Sequence, residues 1–112
     1  MHRMTILYER PDDLAAFRRY YEDTHVPLAR RMPGLTGWNL CWLDEAAGDA
    51  AADGVGAGTD WALVAELYTV DREAMTAMLD SPEGRAARAD LDNFVTARVV
   101  FLTGDEVEVA LA

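Results

Sequence analysis

Positive charge is scarce in this chain. Ten basic residues stand against twenty acidic ones, a formal net charge of −10 at pH 7. Phosphate backbones and anionic bilayers are held by lysine and arginine, so nucleic acid and membrane surfaces are excluded as partners. Cysteine occurs once, at Cys41, so no disulfide can close within the chain and a reducing compartment suits it. Histidine occurs twice, at His2 and His25, which with one cysteine makes no ordinary zinc site. Ser81 is the single serine and fits a helix cap better than a nucleophile. No glycine-rich phosphate loop follows a strand, so no nucleotide cofactor is expected, and none of another kind. No apolar run nears the roughly 18 residues that span a bilayer, and the first residues do not read as a signal peptide. The expectation is a soluble cytoplasmic protein.

What remains is globular: 112 residues, 51% hydrophobic and 27% charged. That is one domain over 1–112, long enough to bury about two-thirds of its unfolded surface. Met4–Tyr8 reads as a strand that ends at Arg10-Pro11-Asp12. Asp12 or Asp13 is placed to cap the helix that follows. In that helix Leu14, Phe17, Tyr21, His25, Leu28 and Met32 recur in steps of three and four, so they share one face. Pro27 has no N–H and collides with the carbonyl four residues back. The helix is therefore expected to kink or restart near residues 24–26, with Asp23 or Thr24 as a new cap. Pro33-Gly34 stops it.

Leu35–Leu43 reads as a second strand, with Trp38, Leu40 and Trp42 on one side. Residues 44–60 are mostly alanine, glycine and aspartate with no base, and are expected to form a flexible hairpin loop. Trp61–Val70 is a third strand. Asp71 caps a helix carrying Met75, Met78 and Leu79, and Ser81-Pro82 opens another that runs to about Asn93. Val95–Leu102 is the last strand, and the tail is able to extend it. The order βαββαβ is the ferredoxin-like α+β arrangement: a four-stranded antiparallel sheet with helices on one face.

Both faces of this sheet read as apolar, and a bare apolar face suits a second copy. A homodimer, two sheets face to face with helices outside, is the expected assembly. Glu66 and Arg98 interrupt the apolar strands and are candidates to meet across the sheet, in a pocket or across that interface. Cys41 is expected to be a small buried hydrophobe.

His25 is the most informative residue, an imidazole on the apolar face one turn from Tyr21. Spacing alone leaves two roles open: a base or hydrogen-bonding group in a site, or a buried histidine that fills space. Tyr20 is assigned to packing with its hydroxyl in water. His25 and Tyr21 are the candidate catalytic pair. Phe17, Leu28, Trp38 and Tyr68 are the candidate walls for a small, mostly apolar organic ligand.

Several motifs in combination resemble the EthD family, named for ethyl tert-butyl ether degradation. They are Thr5–Tyr8 with Arg10-Pro11-Asp12, Phe17, Tyr20-Tyr21, Thr24-His25-Val26-Pro27-Leu28 and Met32-Pro33-Gly34-Leu35. Ser81-Pro82-Glu83-Gly84, Asp90-Leu91 and Asn93-Phe94 continue the pattern. The resemblance implies a dimeric α/β barrel with a pocket between helices and sheet, faced by His25. Family members are labelled reductases or degradation proteins. Relatives by fold include monooxygenases, muconolactone isomerases and haem-handling enzymes, so fold leaves the chemistry open, oxidoreductase-like or isomerase-like. An enzyme on a small organic molecule, a non-catalytic binding or accessory module, and haem binding through His25 are the readings to separate.

Overall fold

A computed structural model describes residues 1–45 and 60–112; most of the alanine- and glycine-rich stretch lies outside the described residues. Four strands form one antiparallel sheet: β1 (His2–Glu9), β2 (Gly37–Trp42), β3 (Trp61–Thr69) and β4 (Val99–Asp105), in the order β2-β3-β1-β4. Between β1 and β2 run α1 (Leu14–Tyr20), a π-helical turn (Tyr21–His25) and α2 (Val26–Ala29). Between β3 and β4 run α3 (Arg72–Asp80), α4 (Pro82–Asp90) and a 3-10 turn (Leu91–Asn93). This is the expected ferredoxin-like α+β fold.

The pleat decides which side chains meet the helices. Along β1, His2, Met4, Ile6 and Tyr8 are buried, while the residues between them are half-buried. Register carries this pattern across the sheet. Trp42, Leu63, Tyr8 and Val99 form one row beneath the helices, and Trp38, Leu67, Met4 and Thr103 form another. Both β2 tryptophans thus share one side of the strand, as their spacing predicts, and that side faces the helices.

The caps follow the sequence closely. Asp13 accepts from the Ala16 N–H at 3.0 Å, Asp71 from Ala74 at 2.8 Å, and the Ser81 hydroxyl from Gly84 at 3.0 Å. Pro82 sits in the first turn of α4. The first helical segment ends at Ala29, earlier than the expected stop at Pro33-Gly34, and Gly34 takes φ +89°, a conformation that costs glycine little, in the turn before β2.

Four expectations need correction. The first helix changes type near residues 24–26 rather than breaking: the π-helical turn gives way to α2 at Val26, with Pro27 in its first turn, and neither Asp23 nor Thr24 caps it. Backbone angles stay helical, and the chain widens so that the Val26 N–H reaches the Tyr21 carbonyl five residues back. A widened turn holds the extra residue and eases the proline into the helix. The second difference follows from the first. One added residue rotates what comes after, so Ala29 is buried and Leu28 only half-buried.

Third, the open face of the sheet is mixed rather than apolar. Cys41, Val64, Leu7 and Val100 make one row, but Asn39, Glu66, Thr5 and Leu102 make the next. Cys41 is exposed there, not buried. Fourth, Glu66 and Arg98 do not meet. Glu66 pairs with Arg3 at 3.2 Å, while the Arg98 guanidinium lies 5.6 Å above the Trp61 ring. β4 begins at Val99 rather than Val95, and the tail extends it past Leu102 as far as Asp105, beyond which Val107, Val109 and Leu111 are exposed.

Candidate functional site

An aromatic cluster joins the first helical segment to the sheet. Tyr8 meets Phe17 and Tyr21 edge-on, with ring centres 5.6 and 5.8 Å apart. Phe94, just after the 3-10 turn, lies 5.2 Å from His25 and stacks on Tyr20 at 4.7 Å. Such pairs add about 0.5–1.5 kcal/mol each beyond area burial, so these rings hold their positions.

Held in that frame, His25 is 5% exposed and Asp90 7%. The His25 Nδ1 lies 2.9 Å from Asp90 Oδ2. The other carboxylate oxygen, Oδ1, accepts from the Tyr20 hydroxyl at 2.8 Å and from the Asn93 amide at 2.9 Å. Burial alone would raise the Asp90 carboxyl, but donors from Asn93, His25 and Tyr20 hold it below its usual range. A carboxylate accepts only, so His25 Nδ1 carries the proton. Burial lowers the His25 imidazole below its ordinary value, and the Asp90 hydrogen bond opposes that shift without cancelling it. The ring is therefore neutral near pH 7, and Nε2 is left as a proton acceptor.

His25 lines a cavity of about 450 Å³ between α4 and the sheet. Trp38, Leu67, Met4 and Thr103 form its floor, Ala87 and Leu91 its roof, and Tyr8 and Tyr21 stand beside His25. Exposed Arg85, Arg88 and Asp92 rim its mouth. The size and apolar lining are those of a small-molecule site. Tyr21 touches His25, ring centres 5.0 Å apart, as the four-residue spacing expects. Burial pushes the Tyr8 and Tyr21 phenols well up, so both remain protonated. No group of three or more metal-ligating side chains occurs among the described residues. No helix there is long and apolar enough to cross a membrane.

His25, Tyr21 and Trp38 thus lie together on the cavity wall. Phe17 is buried behind Tyr8 and Tyr21 and lines a separate groove with Tyr20 and Phe94. Leu28 does not line the cavity, because the π-helical turn gives that place to Ala29. Tyr68 does not line it either: it stands on the open face, where its hydroxyl donates to Glu66 at 3.3 Å. Tyr20 does more than pack, since its hydroxyl donates to Asp90.

Asp90, Asn93 and Tyr8 were not singled out by residue spacing. A signal for Asp90 existed: it lies three residues after Ala87 and four before Phe94, a charge within an apolar helical face. Its partner, 65 residues away in the chain, left no local trace.

Fold and site together define a ferredoxin-like domain with an acid-supported histidine on an apolar cavity. The chain belongs to the EthD family: residues 10–98 match the EthD domain. It is 35% identical over 106 residues, 95% of either chain, to an uncharacterised 11.0 kDa protein of the thcB-thcC intergenic region of Rhodococcus erythropolis. An EthD family protein from Bacillus halodurans is similar in structure, with a TM-score of 0.80 and 27% identity, covering 96% of this chain and 99% of that one. A dimeric ferredoxin-like protein of unknown function from Bacteroides fragilis shares the fold, with a TM-score of 0.61 and 12% identity over 94% and 95% of the two chains.

Proposed function

We propose that this protein is an enzyme acting on a small, mostly apolar organic molecule held in the cavity, with His25 moving a proton through Nε2. The observation that carries this reading is the buried Asp90 carboxylate on Nδ1 of a cavity-lining imidazole. A carboxylate there fixes the tautomer and steadies the ring when it gains a proton. Packing alone does not call for a charge with three donors. Several polar groups facing one cavity, rather than one, favour catalysis over simple binding. The test is product formation from a panel of phenols and lactones by wild type and His25→Ala. Loss of a general base lowers kcat/KM by about 10²–10⁴-fold. Equal rates would remove His25 from the chemistry.

We also propose that two copies pair through the open face of the sheet. The row Val64-Leu7-Val100 and the half-exposed Leu102 offer the apolar centre, and the Arg3–Glu66 pair lies beside it. Light scattering should return twice the 12.4 kDa chain mass. A single-chain mass at micromolar concentration overturns the pairing.

A further inference from the structure

We infer that the inner wall of the cavity is a donor pocket for the oxygen of a carbonyl compound, formed by the hydroxyls of Tyr8 and Tyr21 and the indole N–H of Trp38. This rests on the cavity reading above and names the class of molecule it takes. All three atoms are buried, and none has a hydrogen-bond partner among the described residues. Tyr8 is 1% exposed and Tyr21 fully enclosed. Their side chains line the same cavity as His25. The Tyr21 hydroxyl sits near both Tyr8 and Trp38, close enough for each to bias its ionisation, yet no pair among them completes a hydrogen bond of proper length and angle.

Buried donors without partners are rare in native proteins, because each forfeits its bonds to water. Counting protons shows that these three cannot satisfy themselves. An indole only donates, and each hydroxyl donates one proton. A chain from Trp38 to Tyr21 to Tyr8 uses two protons and both oxygens as acceptors. The third proton, on the Tyr8 hydroxyl, still needs an acceptor from outside. The surplus is of donors, so the matching ligand atom accepts only. A carbonyl oxygen does this, whereas an amine or ammonium offers more donors. The apolar floor fits the hydrocarbon around that carbonyl.

The placement also couples to His25. Nε2 takes a proton from the carbon beside the carbonyl. The C–H electron pair becomes the new C=C bond, and the C=O pair moves onto oxygen. The enolate oxygen then accepts the free Tyr8 proton at the end of that chain, a bond that holds it more strongly than a neutral carbonyl. Returning the proton to the same or another carbon completes an exchange or isomerisation without oxidant or reductant.

The test compares 1-indanone with indane, which lacks only the oxygen, by titration against the intact protein. The ketone should bind about tenfold or more tightly than the hydrocarbon, because it alone accepts the surplus proton. The infrared C=O stretch of bound 1-indanone should fall below its value in hexane, a reading that needs no variant. Tyr8→Phe and Trp38→Phe should each reduce the preference and raise the stretch. Equal affinity for the two compounds, or a hexane-like stretch, overturns the donor pocket and leaves the cavity reading standing. Binding of neither overturns both. In D2O the protein should exchange the protons on the carbon beside the 1-indanone carbonyl faster than buffer does. A rate equal to buffer, or equal to that of His25→Ala, strikes out the proton step.

Discussion

Asp90 is the residue on which the site turns, because its carboxylate stays ionised in a place that disfavours charge. Three donors make that possible, and one of them is the imidazole it steadies. Asp90→Asn keeps the shape and removes the charge. The carboxylate raises the His25 value while burial lowers it, so its loss should lower the imidazole further. Proton NMR of the His25 ring reads this directly; an unmoved midpoint would show that Asp90 does not tune the ring. The same groups set the acid response of the fold. The folded His25 value lies below the ordinary 6.5, so the unfolded chain binds that proton first as pH falls, and stability drops below about pH 6.5. The folded Asp90 value also lies below its ordinary 3.8, so its contribution is present above that value and disappears as pH falls through the folded one. Both act in one direction. Melting temperature should fall on going from about pH 8 to 5, and His25→Gln should flatten that upper part of the curve. A wild-type curve already flat there would refute the linkage.

At the scale of elements, two junctions place these residues, and they differ in how plainly the sequence shows them. The α3–α4 corner was legible. Ser81, Pro82 and the apolar steps through Met75, Met78 and Ala87 mark the cap, the first turn and the buried faces. The closeness of that corner was not legible. A Cβ on Gly84 would collide with the Met78 carbonyl and lie 2.9 Å from Leu79 Cα, and both obstacles are backbone. Gly84→Ala must therefore move α4, which carries Asp90. A loss of about 1–3 kcal/mol in urea unfolding, with weaker ligand binding, is the expected result. Unchanged unfolding would mean the corner yields freely. The π-helical turn shows the other limit. Steps of four placed Tyr21 and His25 correctly, and both are buried with Phe17. The same count failed at Leu28, once the widened turn had shifted the frame by one residue. Asp90 and Tyr8 come from opposite ends of the chain. Spacing reads what lies within one element, and their meeting with His25 is set by how elements pack.

For the whole molecule, the sheet separates two surfaces with different uses. The cavity opens on the helix side, at a mouth rimmed by Arg85 and Arg88, while the row through Leu7 lies on the other side. A charge placed on the open face should break the proposed pairing and leave the cavity intact. Leu102→Glu is the direct case, since that side chain is 53% exposed in the single chain. Sedimentation should show a single-chain species that still binds ligand; a variant that stays paired would place the contact elsewhere. In the proposed pair the two mouths would point away from each other, each built from one chain, with no shared wall through which occupancy of one could be felt by the other. Saturation should therefore follow a simple hyperbola, with a Hill coefficient of about one and one molecule held per chain.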